Sequence, residues 1–203
     1  MKNKIVVASS NEGKISEIRK IFYNYEVLSI KDMEEKLKTH IVVNENEETF
    51  KGNALEKVRD LYNQVGKDYI CIADDSGISI DILNGFPGVH TARWMDADDH
   101  KKNIELLKIV GSTPKDKRTC HYTTVIALKD KNIEKTFEYT LEGYVSTSPR
   151  GNNGFGFDEI FELENGLTLA EISTEAKLRI SPRKNALNMV NNYVINLKTE
   201  SNY

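Results

Sequence analysis

Lys4 to Ser9, KIVVAS, is a short β-branched run with a sharp polar stop, the pattern of a buried strand. Directly behind it Ile15, Ile18, Ile21 and Phe22 recur at helical spacing, so Asn11 to Tyr23 reads as an amphipathic helix. A buried strand that enters a helix through SSNEG commits the N-terminal part of the chain to alternating β and α elements. The alternation continues: Phe50, Ala54, Val58, Leu61 and Val65 mark a second helix, with Thr49 or Asn46 as its cap. YICIAD (Tyr69 to Asp74) reads as another buried strand, ISIDIL (Ile78 to Leu83) as an alternating one, and Ala97 to Val110 as a third helix. The pattern then changes. CHYTTVIALKD and EKTFEYTLEGYVS are long β-rich runs separated by KDKN, a hairpin signal. A Gly-rich loop, PRGNNGFGFDEIF, follows, and Leu187, Val190, Val194 and Leu197 define a C-terminal helix. The expectation is a mixed α/β protein in which the hairpin and its neighbours form one lobe.

The chain has 203 residues, enough for one substantial domain or two closely joined lobes. A net charge of −3 argues against a general nucleic-acid surface, which needs clustered cations. No apolar run approaches the length of a membrane span, and the N-terminal apolar run is too short for a signal-peptide core. Cys71 and Cys120 sit in β-branched surroundings and read as buried thiols, neither a disulfide framework nor a metal cluster. A cytoplasmic setting is expected.

Five stretches carry possible chemistry. SSNEGK presents a helix N-terminus with Lys14 in its first turn, which suits a phosphate or is a plain turn; it lacks P-loop spacing. ADDSG places Asp74 and Asp75 where a strand is expected to end. That pair is either a capped acidic turn or a source of hard oxygen ligands for Mg²⁺. NENEETF, Asn44 to Phe50, is acidic ahead of a helix, which ordinary dipole compensation explains equally well. In GNNGFGFDEIF, glycines permit close backbone approach and Phe155 or Phe157 offers a stacking face, unless both rings belong to the core. Lys177, Arg179, Arg183 and Lys184 form a solvated helix face or a phosphate site. Together they supply acidic metal ligands, cationic phosphate ligands and an aromatic loop, the parts a metal-dependent nucleotide enzyme needs.

In collinear order from Lys4 to Val190, SSNEGK, EETFKGNALEK, ADDSGI, PGVHTARW, GFGFDEIF and EAKLRISPRKNAL resemble the inosine triphosphate pyrophosphatase family. The resemblance implies a two-lobed α/β fold, a single domain over residues 1–203. It also implies a long mixed β-sheet flanked by helices, with the active site in the inter-lobe cleft. It further implies a homodimer, a Mg²⁺ requirement, and cleavage of ITP, dITP or XTP to the monophosphate and pyrophosphate. By position, Ser9, Ser10, Asn11, Glu12, Gly13 and Lys14 match the phosphate-binding turn. Asp75 matches the proton acceptor and metal ligand, Ser76 a substrate contact, and Glu45 the second metal carboxylate, with Glu48 as the fallback. Phe155, Gly156, Phe157 and Asp158 match the nucleotide-binding loop, and Lys177 and Arg183 match further substrate contacts.

One departure stands out: Pro182 occupies the place of a histidine that the family uses on its substrate-binding surface. Phosphate and metal chemistry are expected to survive this change, while purine discrimination is expected to weaken or shift. Two rivals remain at this stage, a pyrophosphatase for modified pyrimidine triphosphates and a nucleotide-binding protein without catalysis.

Overall fold

The computed structural model describes residues 4–200, with side chains through residue 196. The elements follow in the order β1 (Lys4–Val7), α1 (Glu12–Ile21), β2 (Glu26–Ser29), α2 (Ile30–Leu37), α3 (Phe50–Val65), β3 (Ile70–Ile80) and α4 (Asp99–Val110). Then come β4 (Thr119–Lys129), β5 (Glu134–Val145), β6 (Phe161–Glu162), α5 (Thr174–Ile180) and α6 (Pro182–Glu200). The strands form one six-stranded sheet in the order β2-β1-β3-β4-β5-β6. β1 pairs parallel with both β2 and β3, whereas β5 and β6 pair antiparallel, so the sheet is mixed. No helix among the described residues is long and apolar enough to cross a membrane.

The chain divides into two compact units. One holds the described residues up to Asp75, Thr124–Tyr139 and those from Arg183 on; the other holds Ser76–Thr123 and Thr140–Pro182. The first unit is built on strands buried on both faces, and the period of two along each strand sorts residues between two cores. Ile5, Val7, Ile72, Ile126 and Leu128 face α1 and α6, meeting Ile18, Phe22, Leu187, Val190 and Val194. Val6, Cys71, Ala73, Val125 and Ala127 face the other way, toward Met33 of α2 and Ala54, Val58, Leu61 and Val65 of α3. Each fully buried Val or Leu contributes about 1.5–3 kcal/mol, so both helical layers are fixed chiefly by these stripes. The side chain of Leu197 lies outside the described residues.

The second unit packs Ile78, Ile80 and Cys120 against Leu106 and Val110 of α4, with Val145, Phe157, Ile160, Phe161 and Leu169 closing its core. Both cysteines are buried in strands as expected, and burial pushes the Cys71 thiol up to about 12.

Several expectations change. β3 does not end at the aspartates but runs unbroken through ADDSG. Charged residues persist inside this strand because each carboxylate meets a cation or an amide from a helix, as described below. The hairpin and its neighbours do not make up one unit. The hairpin's tip half, Thr124–Tyr139, belongs to the first unit and its strand ends to the second. The third helix begins at Asp99, capped by the Asp98 side chain, and Thr49 rather than Asn46 caps α3. β2 and α2, joined by a capping box between Ser29 and Asp32, were not expected.

Candidate functional site

Asp74 and Asp75 are neighbours on β3, and the strand sends them to opposite faces. Asp74 follows Ala73 and therefore points to the α1/α6 side, where it is buried. Lys14 Nζ donates to its Oδ2 at 2.8 Å and Arg183 Nε to the same oxygen at 3.3 Å. Burial alone would raise the Asp74 pKa; Lys14, then Arg183 and Lys57, outweigh it and bring the value down to about 2. Asp74 is therefore an anionic anchor that holds two cations from the first turns of two helices.

Asp75 points to the α3 side. Asn53 Nδ2 donates to its Oδ2 at 3.1 Å, and Lys57 Nζ lies 3.3 Å from its Oδ1. Lys57 is itself buried, and its ammonium also donates to Glu45 Oε1 at 2.7 Å and to the Asp74 carbonyl at 2.6 Å. Three donors thus meet three oxygens, which offsets the cost of burying the charge. Burial pushes the Asp75 pKa up, Glu45 adds to that, and Lys57 and Asn53 only partly counter it. The Lys57 pKa is raised despite burial, because Asp75, Glu45 and Asp74 surround it. Asn53 is fully buried and also accepts the Glu47 N–H at 2.9 Å, tying the acidic loop to the site.

The turn from β1 into α1 is ordered by its own side chains. Ser9 Oγ accepts the Asn11 N–H, and Asn11 Oδ1 caps α1 by accepting the Lys14 N–H at 3.1 Å. Ser10, Asn11, Glu12 and Gly13 are exposed, so this helix start opens to solvent beside a lysine held by Asp74.

In the second unit, the loop Phe155–Asp158 is organised by Asp158, whose carboxylate is buried and accepts the Phe155 N–H at 2.7 Å. The same carboxylate pairs with Lys177, whose ammonium sits 4.7 Å from the Phe155 ring centroid. Gly154 is required here: a Cβ would lie 2.1 Å from Asp158 Oδ2 and 2.7 Å from Lys177 Nζ. Of the two rings offered by sequence, Phe155 is 65% exposed and Phe157 is buried in the core, so Phe155 is the available stacking face. Pro182 is the buried first residue of α6, a position where the missing N–H costs nothing.

A family model described as the Ham1 family matches residues 5–193. The chain belongs to the Ham1 family. Among its relatives, the dITP/XTP pyrophosphatase of Thermoanaerobacter sp. (strain X514) is 39% identical over 197 residues, covering 95% of this chain and 96% of that one. The dITP/XTP pyrophosphatase of Listeria innocua serovar 6a is 41% identical over 198 residues, with 91% of each chain covered. The solved structure of the Staphylococcus aureus Ham1 protein superposes with a TM-score of 0.85 at 34% identity, covering 95% of this chain and 98% of that one.

In this Ham1-family chain, the structure brings Lys14, Arg183 and Asp74 together, and Glu45 to Asp75 through Lys57. Ser76 follows Asp75 in β3, and Lys177 joins Phe155 and Asp158. Lys57 and Asn53 were not singled out by sequence. Their signal was there: both lie in EETFKGNALEK, four residues apart, on the same α3 face as Ala54, Val58 and Leu61. Two polar residues on an apolar stripe imply a buried polar partner.

Glu45 and Asp75 offer the carboxylate oxygens that Mg²⁺ takes, and the Lys57 ammonium lies against both. Burial, the largest influence on Asp75, raises its pKa, and Lys57 and Asn53 counter it only in part. No group of three or more His, Cys, Asp or Glu side chains converges among the described residues.

Proposed function

We propose that this protein hydrolyses non-standard purine nucleoside triphosphates, dITP, XTP and ITP, to the monophosphate and pyrophosphate. The observation that carries the proposal is the convergence of Glu45 and Asp75 on the buried Lys57 ammonium, with the Asp75 carboxyl pushed up by burial. It is supported by the dITP/XTP pyrophosphatase names of the relatives that cover nearly the whole chain. Mg²⁺ dependence, a homodimeric assembly and a cytoplasmic location belong to the same proposal.

Asp75, poised closer to neutrality than an ordinary aspartate, accepts the proton of the attacking water. The bond between the α-phosphorus and the bridging oxygen breaks, and the departing pyrophosphate carries the displaced charge. Lys14 and Arg183, pre-positioned by Asp74, stabilise that charge without reorganising. Glu45 and Asp75 would hold Mg²⁺, which would supply positive charge to neutralise the phosphates. The Phe155 ring and Lys177 take the base, and Ser76 is a further substrate contact. Rejection of ATP follows where its amino group strands a buried partner, at about 1–3 kcal/mol per unmatched group.

The test is monophosphate and pyrophosphate release from ITP, dITP, XTP, GTP, ATP and a modified pyrimidine triphosphate, with Mg²⁺ or a chelator. The wild type is expected to prefer the first three and to need the metal, and Asp75→Asn to lose at least about 100-fold in kcat/KM. Undiminished turnover by Asp75→Asn removes Asp75 from catalysis, and preference for the pyrimidine overturns the substrate class. The margin over GTP in the same panel reads the consequence of Pro182.

A further inference from the structure

Helix α4 carries polar residues that the proposed reaction does not use. Asp99 and Asn103 are four residues apart and so lie on one face, in line with Leu106 and Val110 farther along. That face meets the loop Phe155–Asp158 in two ways. Its apolar half packs in the same core as Phe157. Its polar half grips Gly156 at both polar groups: Asp99 Oδ2 accepts the Gly156 N–H at 2.7 Å, and Asn103 Nδ2 donates to the Gly156 carbonyl at 2.9 Å. Gly156 sits at φ 64°, in the left-handed region, where outside contacts are needed to select one conformation.

Asn103 is fully buried, and its Oδ1 has no hydrogen-bond partner. An apolar side chain would serve packing better than a buried amide with a stranded acceptor. What this amide supplies is its donor, to Gly156 and, at 3.3 Å, to Glu159 Oε2, which His100 of the same helix also contacts at 2.9 Å. The exposed Phe155 ring therefore stands between two fixed peptides, its own N–H held by Asp158 and the next N–H held by Asp99.

We propose that Asp99 and Asn103 are positioning residues that fix the Phe155–Asp158 loop and through it set discrimination among bases. This rests on the reading that the loop takes the base. A loop released from α4 still presents a ring but no longer in one place, so binding and selectivity suffer before chemistry does.

The experiment uses the full chain and the variants Asp99→Ala, Asp99→Asn and Asn103→Ser, with two readouts. In steady-state kinetics on XTP, dITP, GTP and ATP, Asp99→Ala is expected to raise KM for XTP about tenfold and to narrow the XTP:GTP ratio of kcat/KM. Its kcat is expected to change by less than about twofold. Asp99→Asn keeps an oxygen acceptor for the Gly156 N–H and is expected to recover most of the loss. In hydrogen–deuterium exchange, Asp99→Ala and Asn103→Ser are expected to speed uptake over residues 153–159 and leave β4 unchanged. Since Asp99 is exposed, its variants test the idea even where Asn103→Ser fails to fold. Unchanged uptake over 153–159, or an equal loss of kcat on every substrate, overturns the proposal. A wild type that cleaves none of these nucleotides overturns the functional reading and the selectivity claim together, while the exchange result decides the clamp by itself.

Discussion

Adjacent carboxylates are pushed in opposite directions by one strand. Asp74 lies among Lys14, Arg183 and Lys57 and is held at about 2, whereas burial lifts Asp75 above its ordinary value. Their amides should therefore behave differently in metal-free buffer. Asp74→Asn leaves two cations without their anchor and is expected to destabilise the protein by roughly 3 kcal/mol in urea unfolding at pH 7. Asp75 is a group whose folded pKa is raised, so the stability tied to its neutral form is lost as pH rises through that value. Asp75→Asn is accordingly expected to be neutral or mildly stabilising while activity is lost, and equal destabilisation by both changes would contradict the split. The doublet was legible in sequence as a candidate site, and the resemblance singled out Asp75; that Asp74 holds Lys14 and Arg183 was not legible. A strand has no faces until its neighbours are known, and Asn53 and Lys57, though aligned with an apolar stripe, do not by themselves say which partner they meet.

At the scale of elements, α3 and the β4–β5 hairpin are tied within the first unit by Glu134. Arg59 Nη2 lies 2.5 Å and Lys129 Nζ 3.0 Å from its two oxygens. The Arg59 hydrogen bond, opposed by partial burial and helped by Lys129, lowers the Glu134 pKa to about 2. A depressed carboxylate stabilises the fold above its unfolded value, and that contribution is lost as pH falls from about 4.5 toward about 2. Arg59 is half exposed, so screening holds the contribution to about 1 kcal/mol. Glu134→Gln is expected to lower stability by that amount at pH 7 and by progressively less toward pH 3, measured by chemical unfolding at each pH. A constant difference across that range would show that packing, not charge, is what Glu134 supplies. The hairpin and the long helices were legible because each has a stripe or an alternation long enough to outweigh chance. α2 was not, since its eight residues bury only Met33, and β2 has just four residues. The unbroken β3 was missed because two charges and a glycine look like a turn until Lys14, Arg183, Asn53 and Lys57 are brought to them.

For the whole molecule, connectivity makes a prediction about cooperativity. The chain passes between its two units at Asp75–Ser76, Thr123–Thr124, Tyr139–Thr140 and Pro182–Arg183. The first three junctions fall inside β3, β4 and β5, so three strands run without interruption from one unit into the other. Neither unit is a continuous piece of sequence, because the chain crosses between them at four places. Unfolding is therefore expected to be a single transition. The one tryptophan makes this measurable, because Trp94 belongs to the second unit, packed edge-on against Phe86. Far-UV circular dichroism is dominated by α1, α2, α3 and α6, which lie in the first unit apart from Pro182 at the start of α6. The two probes should give the same urea midpoint. Leu61→Ala empties a fully buried position in the first unit alone and is expected to cost about 3 kcal/mol. Under one transition it shifts the tryptophan and dichroism midpoints together. A dichroism midpoint that falls while Trp94 fluorescence stays in place would mean that each unit unfolds alone, despite the strands they share.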